Sequence, residues 1–117
     1  MKQHYKESRP WGTYEILHDG DDCKVKKITV KPRQNPSYQY HFKRNEHWVI
    51  ICGIGCAKID GKKVEVTAGS IVHVPIECKH TIANTHDAQD LVFIEIQTGT
   101  YFGEDDIVRL EDNYGRI

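Results

Sequence analysis

Four side chains in this sequence have the types and the spacing to hold one divalent cation: Gln39, His41, Glu46 and His80. Gln39 and His41 are two residues apart, so an extended strand points both to one side. Glu46 follows a short polar stretch, Lys43-Arg44-Asn45, that can reverse the chain and lay a second strand beside the first. His80 comes from a distant unit between Gly69 and Asn84, in which an apolar strand meets a turn begun by Pro75. Two imidazoles, a carboxylate and an amide oxygen form a donor set that zinc, manganese, cobalt, nickel and iron all tolerate.

The segments around these residues read as strands. Alternating or apolar runs separated by turn residues cover Thr13 to Leu17, Lys24 to Val30, Tyr38 to His41, His47 to Cys52, Cys56 to Ile59, Lys63 to Val66, Ser70 to Val74, His80 to Ala83 and Leu91 to Gln97. Asp60-Gly61 between two runs predicts a tight hairpin, and His18 to Asp22 a polar turn. The one predicted helix spans Glu104 to Leu110, where acidic residues suit a helix N-terminus. An all-β chain with this many short strands predicts two antiparallel sheets rolled into a jelly-roll barrel with a ligand-sized interior.

Strand parity then sorts the side chains. If Glu46 faces inward, so do Trp48 and Ile50, while His47 and Val49 face outward; an outward Val49 implies packing against a flanking segment or a partner subunit. His47 is therefore a structural histidine rather than a ligand. Lys43 shares the parity of Gln39 and His41, which would bring its ammonium to the barrel mouth. Lys26 alternates with Ile28 and Val30 and is either a buried functional ammonium or one reaching out from the rim. Glu95 and Gln97 share one face of the last long strand. Trp11, Tyr14 and Trp48 are aromatics of the core or of the pocket lip.

Composition excludes several classes of function. At 117 residues the chain is read as one domain, residues 1–117, with room for one core and no second catalytic unit. Sixteen Lys and Arg against 17 Asp and Glu leave a formal charge of -1, with no basic stretch interleaved with aromatics, so nucleic acid is not an expected partner. No signal-like start and no membrane-spanning apolar run is found, and a cytoplasmic protein is expected. Cys23, Cys52, Cys56 and Cys78 lack paired spacing and are read as reduced thiols.

The residues singled out above resemble the cupin double motif, G-x5-H-x-H-x4-E-x6-G followed by G-x5-P-x-G-x2-H-x3-N. Gln39 takes the first His place, His41 the second, Glu46 the carboxylate and Gly53 the closing glycine, while Gly69, Pro75, His80 and Asn84 match the second half. Arg33 and Glu77 stand where the two halves carry a further glycine, so both turns are expected without the residue that most easily takes positive φ. A narrower resemblance is to the C-terminal cupin domain of type II phosphomannose isomerases, a domain often fused behind a mannose-1-phosphate guanylyltransferase. It rests on Arg9 to Glu15, Lys24 to Pro32, Glu46 to Val49 and Tyr101 to Arg116. One departure is His41-Phe42-Lys43, where that family commonly continues with histidines.

That resemblance implies a metal-dependent aldose-ketose isomerase interconverting mannose 6-phosphate and fructose 6-phosphate. The metal, held by Gln39, His41, Glu46 and His80, would stabilise an enediolate while a base moves a proton between two carbons. Arg109, Lys26 and Gln97 are the expected catalytic residues, and Lys43, Arg109 and Trp48 the expected substrate contacts. Because no Gly-rich nucleotide-binding segment is present, the chain is not expected to make a nucleotide sugar by itself. An alternative from another class is a non-catalytic cupin that binds a metal and a sugar, accessory to nucleotide-sugar or polysaccharide synthesis; Lys43 and the two replaced glycines favour it. An oxygen-using iron cupin would share the fold but not the tail. A sugar phosphate is the expected ligand and a homodimer the expected assembly.

Overall fold

The computed structural model describes residues 5–112. The start from Met1 to His4 and the Tyr114-Gly115-Arg116 end of the tail lie outside the described residues. In chain order the strands are β1 (Tyr5–Arg9), β2 (Gly12–Asp19), β3 (Cys23–Val30), β4 (Tyr38–His41), β5 (Arg44–Cys52), β6 (Ile54–Ile59), β7 (Lys62–Thr67), β8 (Ile71–Val74), β9 (His80–Asn84), β10 (Leu91–Gly99) and β11 (Ile107–Glu111). Six form one sheet in the order β1-β2-β3-β10-β5-β8, and five form a second in the order β11-β4-β9-β6-β7. All pairings are antiparallel, and the two sheets make the jelly-roll barrel that the strand rhythm predicts. Among the described residues no helix is long and apolar enough to cross a membrane.

Each of the nine expected segments falls on one of β2 to β10, with ends displaced by a few residues at most. The predicted helix over Glu104 to Leu110 is wrong. Glu104–Asp106 is a single 3-10 turn, and Ile107–Glu111 pairs with β4 as an edge strand. The acidic start suited a helix, but Ile107 and Val108 are β-branched, and β4 offers an open row of backbone groups that only a strand can pair. β1, an edge strand on β2, was not expected from its charged sequence.

The barrel interior is divided along the strands. On β3 the inward residues run from Lys26 to Ile28 and Val30; on β5 from Arg44 and Glu46 to Trp48 and Ile50; on β10 from Leu91 and Phe93 to Glu95 and Gln97. Because β10 lies antiparallel between the other two, its polar end meets their polar ends: Glu95 pairs with Lys26 and Trp48, and Gln97 with Glu46. The apolar ends meet as well. Val30, Ile50, Leu91 and Phe93 are at most 2% exposed and plug one end of the barrel, each burial contributing roughly 1.5–3 kcal/mol. On the outer face His47 stacks on His73 of β8, with ring centroids 4.6 Å apart, as a non-ligand histidine should.

Two turns position the ligand strands. In Lys31-Pro32-Arg33-Gln34 the Gln34 amide donates to the Lys31 carbonyl, and in Pro75-Ile76-Glu77-Cys78 the Cys78 amide donates to the Pro75 carbonyl. The third residue of each has positive φ, 61° for Arg33 and 64° for Glu77. These are the two positions where the cupin motif carries glycine, so the turn shape is kept without it. The Glu77 amide also donates to the carbonyl of His41, at 2.7 Å, tying the second turn to β4. A side chain in this region costs about 1 kcal/mol or more, offset in part by glycine's greater freedom in the unfolded chain. Glu77→Gly is expected to raise stability to urea by up to about 1 kcal/mol, and Glu77→Val to lower it by about 1–2 kcal/mol. A glycine variant less stable than the parent would show that the turn is not strained.

Candidate metal centre

Glu46 lies at the middle of the polar end of the barrel and is 2% exposed. Its neighbours on the same face of β5 hold it from both sides. Arg44 donates from Nε to Oε2 at 3.0 Å and places a terminal nitrogen 2.9 Å from the same oxygen, while Trp48 Nε1 donates to Oε1 at 3.0 Å. Residues two apart on a strand share a face, so this one strand supplies both the carboxylate and its clamps.

Two histidines from the facing sheet complete the cluster. His41, at the end of β4, has Nδ1 3.6 Å from Glu46 Oε2, and His80, at the start of β9, has Nε2 3.7 Å from Glu46 Oε1. One donor atom from each of the three lies within 4.8 Å of the others, and all three side chains are buried. His80 Nδ1 sits 2.9 Å from the Cys78 carbonyl, which can only accept, so the proton is on Nδ1 and the lone pair of the neutral ring is on Nε2. Nε2 of both His41 and His80 is buried without a hydrogen-bond partner. Burial, with the nearby Arg44 charge, lowers the His41 pKa to about 4, so its ring is neutral at ordinary pH. A neutral His41 ring and the unpaired Nε2 of His80 beside an ionised carboxylate suit a divalent cation. Gln39 lines the same cavity and is the register partner of both His80 and Arg109. Its amide oxygen accepts from Ser37 Oγ at 3.0 Å, so as a fourth donor it would have to share that oxygen or give up the bond.

The remaining expected residues divide. Lys26, Trp48 and Arg109 line the cavity above the cluster. Lys26 is 4% exposed, with Nζ 2.6 Å from Glu104 Oε1 and 4.5 Å from the centre of the Tyr14 ring. Arg109 projects from β11, and its Nε is buried without a partner. Trp48 is occupied as a clamp on Glu46 rather than as an exposed stacking surface. Lys43 is not in the cavity: β4 ends at His41, so the parity argument stops there, and Lys43 stands exposed in the connecting bend with Nζ 5.3 Å from the Tyr101 ring centre. Gln97 is fully buried beneath the cavity floor, where its amide donates to Glu95 Oε2 at 2.6 Å. It orients Glu95 instead of meeting a ligand.

Arg44 and Glu104 are site residues that the sequence reading missed. Arg44 reads in the sequence as part of the reversing stretch, yet it begins β5 and has the parity of Glu46. That i, i+2 relation was the available signal. Glu104 was assigned to a helix, and nothing local marks it as a partner of Lys26. Asn84, from the second motif, is structural: its side-chain amide donates to the carbonyls of Val30 and Gln89 and its oxygen accepts the His86 amide.

Glu46 and Glu95 form a coupled carboxyl pair. Burial raises both, but His80, Arg44 and a hydrogen bond from Glu95 outweigh it at Glu46, which stays ionised far below the usual carboxylate range. For Glu95, burial and then the Glu46 charge raise the pKa to about 8, so it carries the shared proton. Relative to an unfolded value of 4.5, this group's contribution to stability is complete below pH 4.5 and is lost as pH rises through about 8. Glu95→Gln should therefore remove at least about 1 kcal/mol of the decline in stability of metal-free protein across that window, measured by denaturant titration at several pH values. An unaltered pH slope in the variant would mean that Glu95 is ionised in the folded chain.

Known proteins resemble this chain in sequence and in fold. The family described as Mannose-6-phosphate isomerase C-terminal matches residues 1–112. A mannose-1-phosphate guanylyltransferase of Salmonella montevideo is 42% identical over 113 residues, 97% of this chain and 24% of that protein. The alginate biosynthesis protein AlgA of Pseudomonas aeruginosa is 42% identical over 115 residues, 98% of this chain and 24% of its own length. The chain thus spans about a quarter of the length of the curated relatives it matches. Among solved structures, the capsular polysaccharide assembling protein CapF of Staphylococcus aureus superposes with a TM-score of 0.77 over 95% of this chain and 35% of CapF, at 20% identity, which shows a shared fold. The expectation that this chain is itself a mannose-6-phosphate isomerase is overturned by the relatives, which are named for guanylyltransferase activity or for alginate synthesis, not for isomerisation. With 112 of its 117 residues matched and its cupin motif folded onto a jelly-roll barrel, the chain belongs to the mannose-6-phosphate isomerase C-terminal family of cupin domains.

Proposed function

We propose that this chain is a metal- and sugar-binding cupin module, without turnover of its own, that serves nucleotide-sugar or polysaccharide synthesis. The observation that carries the reading is the convergence of His41, Glu46 and His80 beneath a cavity walled by aromatic and cationic side chains. The names of the curated relatives support the setting, because one is a mannose-1-phosphate guanylyltransferase and another an alginate biosynthesis protein.

The residues divide the work of binding. His41, Glu46 and His80, with Gln39 beside them, would hold one divalent cation, which when bound offers a Lewis-acidic contact for sugar hydroxyl oxygens. Arg44 and Trp48 keep the Glu46 carboxylate aimed inward. Ile28, Ile82 and Phe93 supply apolar wall, and Lys26 and Arg109 bring positive charge toward the anionic part of a sugar phosphate. Cavities of this kind, mostly apolar with a few placed polar groups, suit a small ligand.

Metal analysis and calorimetry test the reading together. Protein freed of metal by a chelator and then offered manganese or zinc is expected to take up one ion per chain and to bind mannose 6-phosphate, which is recovered unchanged. His80→Ala is expected to lose the ion and at least about tenfold in sugar-phosphate affinity. Failure of the parent protein to bind metal would overturn the metal reading, and recovery of a ketose phosphate would overturn the non-catalytic part.

A further inference from the structure

The cations above the metal cluster are incompletely paired. Lys26 is almost fully buried, and its Nζ meets Oε1 of Glu104. The same oxygen is 3.8 Å from a terminal nitrogen of Arg44 that makes no hydrogen bond, although Arg44 is only 3% exposed. Nε of Arg109, lining the same cavity, is also buried without an acceptor. One carboxylate oxygen thus serves two buried cations, and a third has a donor unused.

Glu104 differs from the groups it serves. Its side chain is 45% exposed, and it sits on the short 3-10 turn that precedes β11 rather than on a strand of the barrel. The Asp106 carboxylate fastens this turn by accepting the Lys43 amide at 3.0 Å and the Phe42 amide at 3.4 Å, so Glu104 can turn toward water without unpairing a strand. Buried cations need a counter-charge, and leaving them unpaired is costly. A phosphate monoester brings three terminal oxygens and up to two negative charges, where Glu104 brings one charge and meets both Lys26 and Arg44 with a single oxygen, so it has enough for Lys26, Arg44 and Arg109 together.

We propose that Lys26, Arg44 and Arg109 form a subsite for the phosphate group of a sugar phosphate, and that Glu104 fills it with its own carboxylate until the ligand displaces it. The inference deepens the sugar-binding reading above and rests on it for the rest of the ligand. It makes Glu104 a selectivity device. A monocarboxylate gains little by replacing a tethered carboxylate, whereas a dianionic phosphate gains contacts that Glu104 cannot make.

The probe is inorganic phosphate, titrated calorimetrically into the metal-free protein. Glu104→Gln, nearly isosteric and partly exposed, is expected to bind phosphate about tenfold more tightly than the parent because its competing charge is gone. Lys26→Met is expected to lose phosphate binding. Thermal unfolding gives a second readout: Glu104→Gln should melt below the parent without phosphate and recover when phosphate is added, whereas a merely structural Glu104 would give a loss that phosphate does not repair. Equal or weaker phosphate binding by Glu104→Gln overturns the subsite. The two proposals fail separately. A protein that takes up metal and mannose 6-phosphate but shows no gain in Glu104→Gln keeps the function and loses this inference, while tighter phosphate binding in a chain that takes up no metal does the reverse.

Discussion

A single ionised carboxylate, Glu46, buried at the polar end of the barrel, sets the terms for everything around it. Removing a carboxylate from water costs several kcal/mol unless opposite charge and hydrogen bonds replace the lost hydration. Here the replacement is local. Arg44 and Trp48, one step to either side on the same strand face, take up its two oxygens, so forming β5 in its correct register assembles the clamp at once. The protonated Glu95 from the neighbouring β10 then adds a hydrogen bond instead of a second negative charge. This arrangement stabilises Glu46 from within the barrel, and Nε2 of both His41 and His80 stays without a hydrogen-bond partner.

The antiparallel order β3-β10-β5 places that carboxylate where it can be used. Each of these strands is apolar over one half of its inner face and polar over the other, and the register brings like halves together. Packed side chains close one end of the barrel while charge is gathered at the other. A parallel neighbour with the same gradient would have set Glu95 and Gln97 against Ile28 and Val30, separating the charges from their partners. The site is thus a consequence of strand direction as much as of residue identity.

Much of this was legible in the sequence, for definable reasons. Period-two patterning located nine strands, and inward parity from Glu46 correctly turned Trp48 and Ile50 into the barrel and His47 out of it. His41, Glu46 and His80 converge because their spacing fits the strands that carry them. What patterning misjudged lies at the breaks in regularity. The parity of β4 does not carry to Lys43 through a bend where the chain rotates, and Arg44 is missed when the bend is extended two residues too far, over Arg44 and Asn45. The Glu104 to Leu110 error has a different origin: local propensity favoured a helix, while β4 presented unpaired backbone groups that no local signal reveals. Arg33 and Glu77 show the opposite case, in which a tertiary frame holds a backbone shape that their side chains disfavour.

The segment that local reasoning misassigned also completes the site. β4 carries Gln39 and His41, yet its pairing with β9 is confined to Gln39 and His80, so most of its backbone is held on the other side by β11. The same short stretch delivers Arg109 to the cavity from β11 and Glu104 from the turn before it. Fixing the ligand strand, presenting one cation and screening two others are therefore coupled through a few residues at the edge of the smaller sheet. Any movement that frees Glu104 must leave the Ile107–His41 pairing intact if the candidate ligands on β4 are to stay in register. The Asp106 carboxylate, held by the Phe42 and Lys43 amides between those two points, is placed to keep the two events apart.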